Sequence, residues 1–274
     1  MALNRFRLGV AAVLTFGVVA CSSSGETGGE ASDAPFETVT PGQITVGVPT
    51  FPPFSGLEDG EIIGPDGAIL ARIAEHYDLE LVAEPYEFSA LIPAVQQGRL
   101  DVAIGSIFRT HERDEVVDFT DPLYIEPGSF ISLDGAQTVD DLVGRRVGTI
   151  QGYNWVGDIN DLLGGDLVLY PSSVELKQDL EAGRLDVAID SYGTALEMYE
   201  GTDYEVHVMT PDERVEAATN PGQVGFVVSE DNPELTEAFN EVIAALHEED
   251  AIAPILEEWG LDPAAAEVGE PRYL

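Results

Sequence analysis

A seven-residue phrase occurs twice in this chain and constrains its fold more than any other feature. Gly98-Arg99-Leu100-Asp101-Val102-Ala103-Ile104 returns as Gly183-Arg184-Leu185-Asp186-Val187-Ala188-Ile189. Each copy follows an amphipathic helical stretch, at 90–97 and 174–182. In each, the glycine suits a helix C-cap, the arginine sits near the negative end of the helix dipole, and the apolar run reads as a buried strand. The repetition predicts two lobes of similar build. It also places residues: Gly105-Ser106 and Asp190-Ser191 follow directly on equivalent strands. Open α/β sheets bind ligands outside the carboxyl ends of their strands. Two lobes facing each other would therefore bring these residues to one cleft.

The rest of the pattern agrees with an α/β architecture. Strands are expected at 44–48, 79–83, 100–105, 146–150, 167–170 and 185–189, and helices at 68–77, 90–97, 139–142, 155–163 and 174–182. Such alternation predicts largely parallel sheets. Two extended apolar stretches, 129–133 and 225–228, are the candidate crossings between lobes. They divide the chain into a first lobe, 43–130 plus 226–274, and a second, 131–225. The helical stretch 233–259 is expected to pack on the first lobe, and 262–274, rich in Ala, Glu and Pro, reads as a loosely held tail.

The N-terminus reads as a targeting segment. Arg5 and Arg7 precede an apolar run at 8–19 that is shorter than the roughly 20 residues a bilayer span needs. The run ends in Val18-Val19-Ala20-Cys21, which resembles the lipobox of bacterial lipoproteins. That resemblance implies a signal peptide over 1–21, lipidation of Cys21, and an extracytoplasmic protein held to the membrane by its lipid. Residues 22–42, rich in Ser, Gly, Glu and Thr, read as a flexible acidic tether. Cys21 is the only cysteine, so no intrachain disulfide is possible. The 51 acidic residues against 12 basic ones give a net charge of −39, which repels nucleic acid and anionic headgroups and sets both aside as partners of the folded part.

Against that charge, Arg109-Thr110-His111-Glu112-Arg113 stands out. It begins a helix with Thr110 suited to N-capping. A cation there opposes the macrodipole, so Arg113 points to a nearby anion, for which its guanidinium offers a two-pronged fork. The alternative is a salt bridge to one of the many acids. Arg109 is a weaker candidate, and His111 reads as exposed. Phe51-Pro52-Pro53-Phe54 follows the first strand, with Phe51 placed to stack on a ligand and Phe54 read as core. Phe88 offers a second wall. Gly152-Tyr153-Asn154-Trp155 lies between a strand and a helix, where free backbone N–H groups favour an anion. There is no phosphate-binding G-x-x-x-x-G-K-[ST] loop, no G-x-S-x-G elbow and no H-E-x-x-H motif, and His76, His111, His207 and His247 lack metal-ligand spacing. No metal and no cofactor is expected.

Taken together, these segments resemble the family 3 extracellular solute-binding proteins, the polar amino-acid receptors of ABC importers. The resemblance covers roughly 44–259. Its specific part runs from Asp101-Val102-Ala103-Ile104-Gly105-Ser106 through Thr110-His111-Glu112-Arg113 to Asp118-Phe119-Thr120-Asp121-Pro122-Leu123-Tyr124. Phe51-Pro52-Pro53-Phe54 matches the family's aromatic loop, and Phe88-Ser89-Ala90-Leu91-Ile92-Pro93-Ala94 the start of its next helix. The resemblance implies a periplasmic-binding-protein type 2 fold: two lobes, a two-strand hinge and a ligand cleft between them. It assigns the ligand's α-carboxylate to Arg113, its side chain to Phe51 and Phe88, and backbone contacts to Gly152, Tyr153 and Asn154, with Ser106, Phe108, Asp190 and Ser191 completing the site.

Three departures are specific to this chain. Phe108 stands where a hydroxyl commonly assists the carboxylate. Ser191 stands where an acid commonly holds the α-amino group, and Asp190 lies one position early. Gly64-Pro65-Asp66-Gly67-Ala68 lacks the last acid of the family's G-F-D-V-D-like stretch. The expectation is a monomeric substrate-binding lipoprotein that hands an amino acid or related carboxylated metabolite to ABC permease subunits. The alternatives are a dehydratase-type enzyme on the same scaffold and a ligand-responsive sensor or adhesion lipoprotein.

Overall fold

The computed structural model describes residues 34–274. The signal segment, Cys21 and most of the expected tether lie outside the described residues. The described chain builds two five-stranded sheets of matching layout. The first runs Glu80–Pro85, Gln43–Val48, Val102–Ala103, Val227–Val228, Asp118–Phe119. The second runs Val168–Tyr170, Val147–Ile150, Val187–Ser191, Gly128–Ser132, Glu205–Val208. In each, the first three strands are parallel, while the fourth and fifth pair antiparallel with the strand before them. The sheets are thus less uniformly parallel than the alternation of elements implies. In each sheet the fourth strand enters from the opposite lobe, so the crossing sets its direction, not a helical crossover.

The repeated phrase occupies the same place in both sheets, at the third strand. Gly98 and Gly183 adopt left-handed φ of 64° and 68° and end their helices. Behind them Arg99 N–H donates to Ala94 O (3.0 Å) and Arg184 N–H to Asp179 O (2.9 Å), satisfying helix-end carbonyls. The two aspartates also play one role. Asp101 accepts Thr45 N–H at 2.7 Å, and Asp186 accepts Arg146 N–H at 2.9 Å, each pinning the neighbouring parallel strand.

The crossings lie a few residues before the expected ones. Tyr124–Glu126 and Gly222–Val224 pair antiparallel as a separate two-stranded ribbon. The stretch 129–133 falls largely within Gly128–Ser132, buried along its whole length in the second sheet, and 225–228 runs into Val227–Val228 of the first. Extended apolar character marked buried strands, whereas the hinge ribbon carries the polar Glu126 and Gln223.

Two more expectations are corrected. The stretch read as tether is not free up to Gly42: Phe36 is buried edge-on against Tyr77 (5.1 Å) and Phe239 (6.2 Å), and Val39 N–H donates to Asp101 (2.7 Å). The ring and a second bond, from Asn232 Nδ2 to Glu37 O (2.8 Å), hold that segment on the first lobe. The stretch read as a loose tail is likewise fastened. Leu274 N–H donates to Arg109 O (3.0 Å), and its carbonyl accepts His111 N–H (2.8 Å). Gln223 Nε2 donates to Val268 O (2.8 Å) and Glu270 O (2.9 Å), while its Oε1 accepts Arg272 N–H (2.7 Å). The helices Pro65–His76, Pro233–Glu248 and Ile252–Glu258 pack together on the first lobe. The first of these begins at Pro65, which suits the opening turn because proline lacks the N–H that would go unpaired there. Among the described residues, no helix is long and apolar enough to cross a membrane.

Candidate functional site

Between the lobes lies a small cavity lined by Phe51, Phe88, Ser106, Phe108, Arg113, Tyr153, Asn154, Trp155 and Ser191. As the repeat implied, Ser106 and Ser191, from beyond the third strand of each sheet, meet in it. About 10 Å³ remains free inside, far below the roughly 300 Å³ of an ordinary ligand pocket, so the lobes must part or the walls move to admit a solute.

Each wall is positioned by the local fold. Phe51 turns back on Ser55 just after its strand, through paired backbone bonds of 2.9 Å, and stacks on Phe54 at 5.6 Å. Phe54 is fully buried, as expected, and stacks in turn on Tyr124 at 5.7 Å. Phe88 opens a short 3-10 turn, Phe88–Ala90, and remains half-buried at the cleft. Phe108 bridges to Val224 of the hinge ribbon, and its ring lies on Gly222, where a Cβ would come within 2.4 Å of it. Only glycine leaves room for that ring.

Asp66 sets the loop that carries Ser106. Its Oδ2 accepts both Gly105 N–H and Ser106 N–H at 2.8 Å, and its Oδ1 accepts the Tyr124 hydroxyl at 2.6 Å. These bonds support the unusual backbone at Ser106, whose φ is 50°. Burial pushes the Asp66 carboxyl up to about 6 against those three donors, which act to lower it. The Ser106 hydroxyl itself is buried and has no hydrogen-bond partner. A buried hydroxyl without a partner is costly, and this one belongs to a residue that lines the cavity.

Thr110 caps the turn His111–Asp114 as the sequence implies, its Oγ1 accepting Arg113 N–H at 3.2 Å. Arg113 is the one charged side chain lining the cavity. It forms none of the salt bridges found among the described residues, so the alternative reading of its role fails. Its Nη1 donates to Phe108 O and its Nη2 to Gly152 O of the opposite lobe, each at 2.7 Å. Desolvation between the lobes lowers its pKa to about 10, against Glu112 and Tyr153, so it stays cationic at neutral pH.

Gly152 departs from expectation in its chemistry: the group that reaches Arg113 is its carbonyl oxygen, not an N–H. With φ of 89° it passes close to Ser89, where a Cβ would stand 3.3 Å away. Asp190 is also set back from the cavity. It is 2% exposed, and its Oδ1 accepts the Tyr153 hydroxyl (3.0 Å) and Ser191 N–H (2.8 Å). Burial raises its carboxyl to about 6. Glu126 lies near it in the hinge ribbon, buried, accepting Gly193 N–H at 2.7 Å. Trp155 is a wall residue that the sequence reading did not single out. Its indole, held by a 2.9 Å bond to Thr149 Oγ1, faces the cavity. Arg109 points away, over the Tyr273 ring at 4.4 Å, and His111 is exposed. Among the described residues, no group of three His, Cys, Asp or Glu side chains is placed to hold a metal.

Two lobes on matched sheets, a two-strand hinge and an interlobe cavity define a solute-binding architecture. The profile of the bacterial extracellular solute-binding proteins, family 3, matches residues 44–262, and the chain belongs to that family. It is 30% identical to the L-arginine-binding protein of Pseudomonas aeruginosa, over 72% of this chain and 79% of that one. It is 29% identical to the lysine/arginine/ornithine-binding periplasmic protein of Escherichia coli, over 78% and 84%. Among solved structures, an amino acid ABC transporter substrate-binding protein from Streptococcus pneumoniae, bound to L-arginine, superposes with a TM-score of 0.71 at 27% identity, covering 84% of this chain and 97% of that one. The family and these relatives are binding proteins.

Proposed function

We propose that this protein is the lipid-anchored receptor of an ABC importer, held outside the cytoplasmic membrane through Cys21. It captures an amino acid or related small carboxylated metabolite between its lobes and presents it to membrane permease subunits as a monomer. The observation that carries the reading is Arg113, an unpaired cation in a chain with 51 acids and 12 bases, turned into the cavity between the lobes. In the proposed complex its fork holds the carboxylate, and the partnerless Ser106 hydroxyl donates to the same group. Phe51, Phe88, Phe108 and Tyr153 surround the remainder of the ligand, Asn154 and Gly152 supply polar contacts from the second lobe, and Asp190 acts through Tyr153 and Ser191. Bending at the ribbon Tyr124–Glu126 and Gly222–Val224 opens and closes the cleft. The protein converts nothing. The ligands named for the relatives, arginine, lysine, ornithine and histidine, all carry an α-carboxylate and agree with this reading.

The test is a thermal-shift and calorimetric screen of residues 34–274 against carboxylates, amino acids and amines. A true ligand at a hundredfold excess over its Kd stabilises the fold by roughly 2.7 kcal/mol. Arg113→Ala is expected to abolish the shift, read against the variant's own unliganded melting temperature. Full affinity in Arg113→Ala would remove the central claim.

A further inference from the structure

The cavity treats the two ends of a zwitterion differently. For an anion it has Arg113 and a free hydroxyl. For a cation it has no carboxylate at all: no acidic side chain lines it. The buried acids around it are already engaged, Asp66 by Gly105 N–H, Ser106 N–H and the Tyr124 hydroxyl. Asp190 is held by Tyr153 and its own following N–H, and Glu126 by Gly193 N–H. The Ser191 hydroxyl is turned to Thr194 Oγ1 at 3.1 Å. An unsubstituted ammonium brings three N–H donors and a tightly held water shell, and burying it without matching acceptors is costly.

Aromatic faces, by contrast, are abundant. Phe51, Phe88 and Phe108 come from one lobe, Tyr153 and Trp155 from the other. They adjoin one another, with Phe51–Phe88 at 6.3 Å, Phe88–Tyr153 at 5.0 Å, Tyr153–Trp155 at 4.9 Å and Phe108–Trp155 at 6.1 Å between centroids. Most of these pairs meet steeply, at 66° to 85°, so that the rings wall a box and do not form one flat stack. The box already attracts positive charge: the Arg113 guanidinium carbon lies 5.8 Å from the centre of the Phe88 ring. Ring faces hold cations that have little hydration to lose, and quaternary ammonium groups suit such cages best.

Building on the carboxylate site proposed above, we infer that this cleft selects a betaine-class ligand, a small carboxylate bearing a fully alkylated ammonium, with the carboxylate on Arg113 and Ser106 and the alkylated cation inside the aromatic box. The selectivity follows from the missing carboxylate: each N-methyl group removes one N–H that no carboxylate in the walls accepts and adds apolar surface that the rings can cover.

The experiment is a calorimetric series on residues 34–274 with glycine, sarcosine, N,N-dimethylglycine and glycine betaine, with choline and L-arginine as controls. Affinity is expected to rise with each methyl group, at least tenfold in all, with choline at least tenfold weaker than glycine betaine. Phe88→Leu should weaken glycine betaine about tenfold, and Phe88→Trp should restore it; Phe88 is half-buried, and both variants are checked for an unchanged melting temperature. Two results overturn the inference separately. If L-arginine or unmethylated glycine binds more tightly than glycine betaine and Arg113→Ala abolishes it, the betaine assignment falls and the carboxylate receptor stands. If no carboxylated compound binds, both fall.

Discussion

Glu126 offers a sharp test of the electrostatics at the hinge. It is buried in the ribbon strand Tyr124–Glu126 with Gly193 N–H as a donor, and among the described residues it forms no salt bridge. Burial, with Asp190 nearby adding to it, moves its carboxyl from the ordinary 4.5 up to about 8. An acid whose folded pKa is raised binds more protons in the native state than in the unfolded one, so stability is lost as pH rises through that window. Each pKa unit is worth about 1.4 kcal/mol, which sets the cost of burying Glu126 at about 4 kcal/mol near pH 7.5 and about 1 kcal/mol near pH 5. Glu126→Gln keeps an acceptor for Gly193 N–H and removes the titration. The variant is expected to gain stability near pH 7.5 by about 3 kcal/mol more than near pH 5, read from paired urea or guanidinium unfolding curves. A gain that is equal at the two pH values, or a loss at both, would mean that Glu126 folds as a carboxylate and that the reasoning is wrong.

Other consequences follow from particular contacts. Gln223→Ala should cost about 1–3 kcal/mol by thermal unfolding, because it strips partners from Val268 O, Glu270 O and Arg272 N–H at once. Gly222→Ala should weaken ligand binding severalfold by calorimetry, since the new Cβ would lie 2.4 Å from the Phe108 ring and drive it into the cavity. A protein starting at Thr40 should melt below one starting at Ala34, losing about 1.5–3 kcal/mol for the buried Phe36 ring.

The sequence revealed what repeats and what carries charge. The doubled phrase located the central strand of each sheet, and with it Ser106 and Ser191, because a left-handed glycine, a strand-pinning aspartate and a buried apolar run leave local signatures. Arg113 was legible from charge alone, and the aromatic loop from its prolines. That two crossings join the lobes was legible; their exact position was not. A ribbon such as Gly222–Val224 is specified by Gln223 reaching residues 45 and 47 positions away, and no local pattern records such distant partners. The tail was misread for the same reason: its composition is that of a loose segment, and only its fit against Gln223 and Arg109 holds it. Trp155 escaped because the segment that carries it was read for its backbone groups, and the face its indole turns to the cavity is defined only when the lobes meet.

The position of Arg113 suggests how closure and capture are joined. Its two Nη groups span the cleft, one on Phe108 O of its own lobe and one on Gly152 O of the other. The guanidinium therefore already acts as a tie between lobes, made of bonds from a charged donor to neutral carbonyls. A ligand carboxylate offers the same fork two acceptors that carry a full negative charge, which adds to the hydrogen bonds a charge–charge attraction that the neutral carbonyls lack. A carboxylate that takes over the fork thus replaces a direct tie with a stronger one running through the ligand, and the closed arrangement gains stability by that difference. A cation without a carboxylate fills the aromatic box but leaves Arg113 on Gly152, so it cannot strengthen the tie. The separation of roles explains why the carboxylate end should control closure while the rings control which cation is accepted.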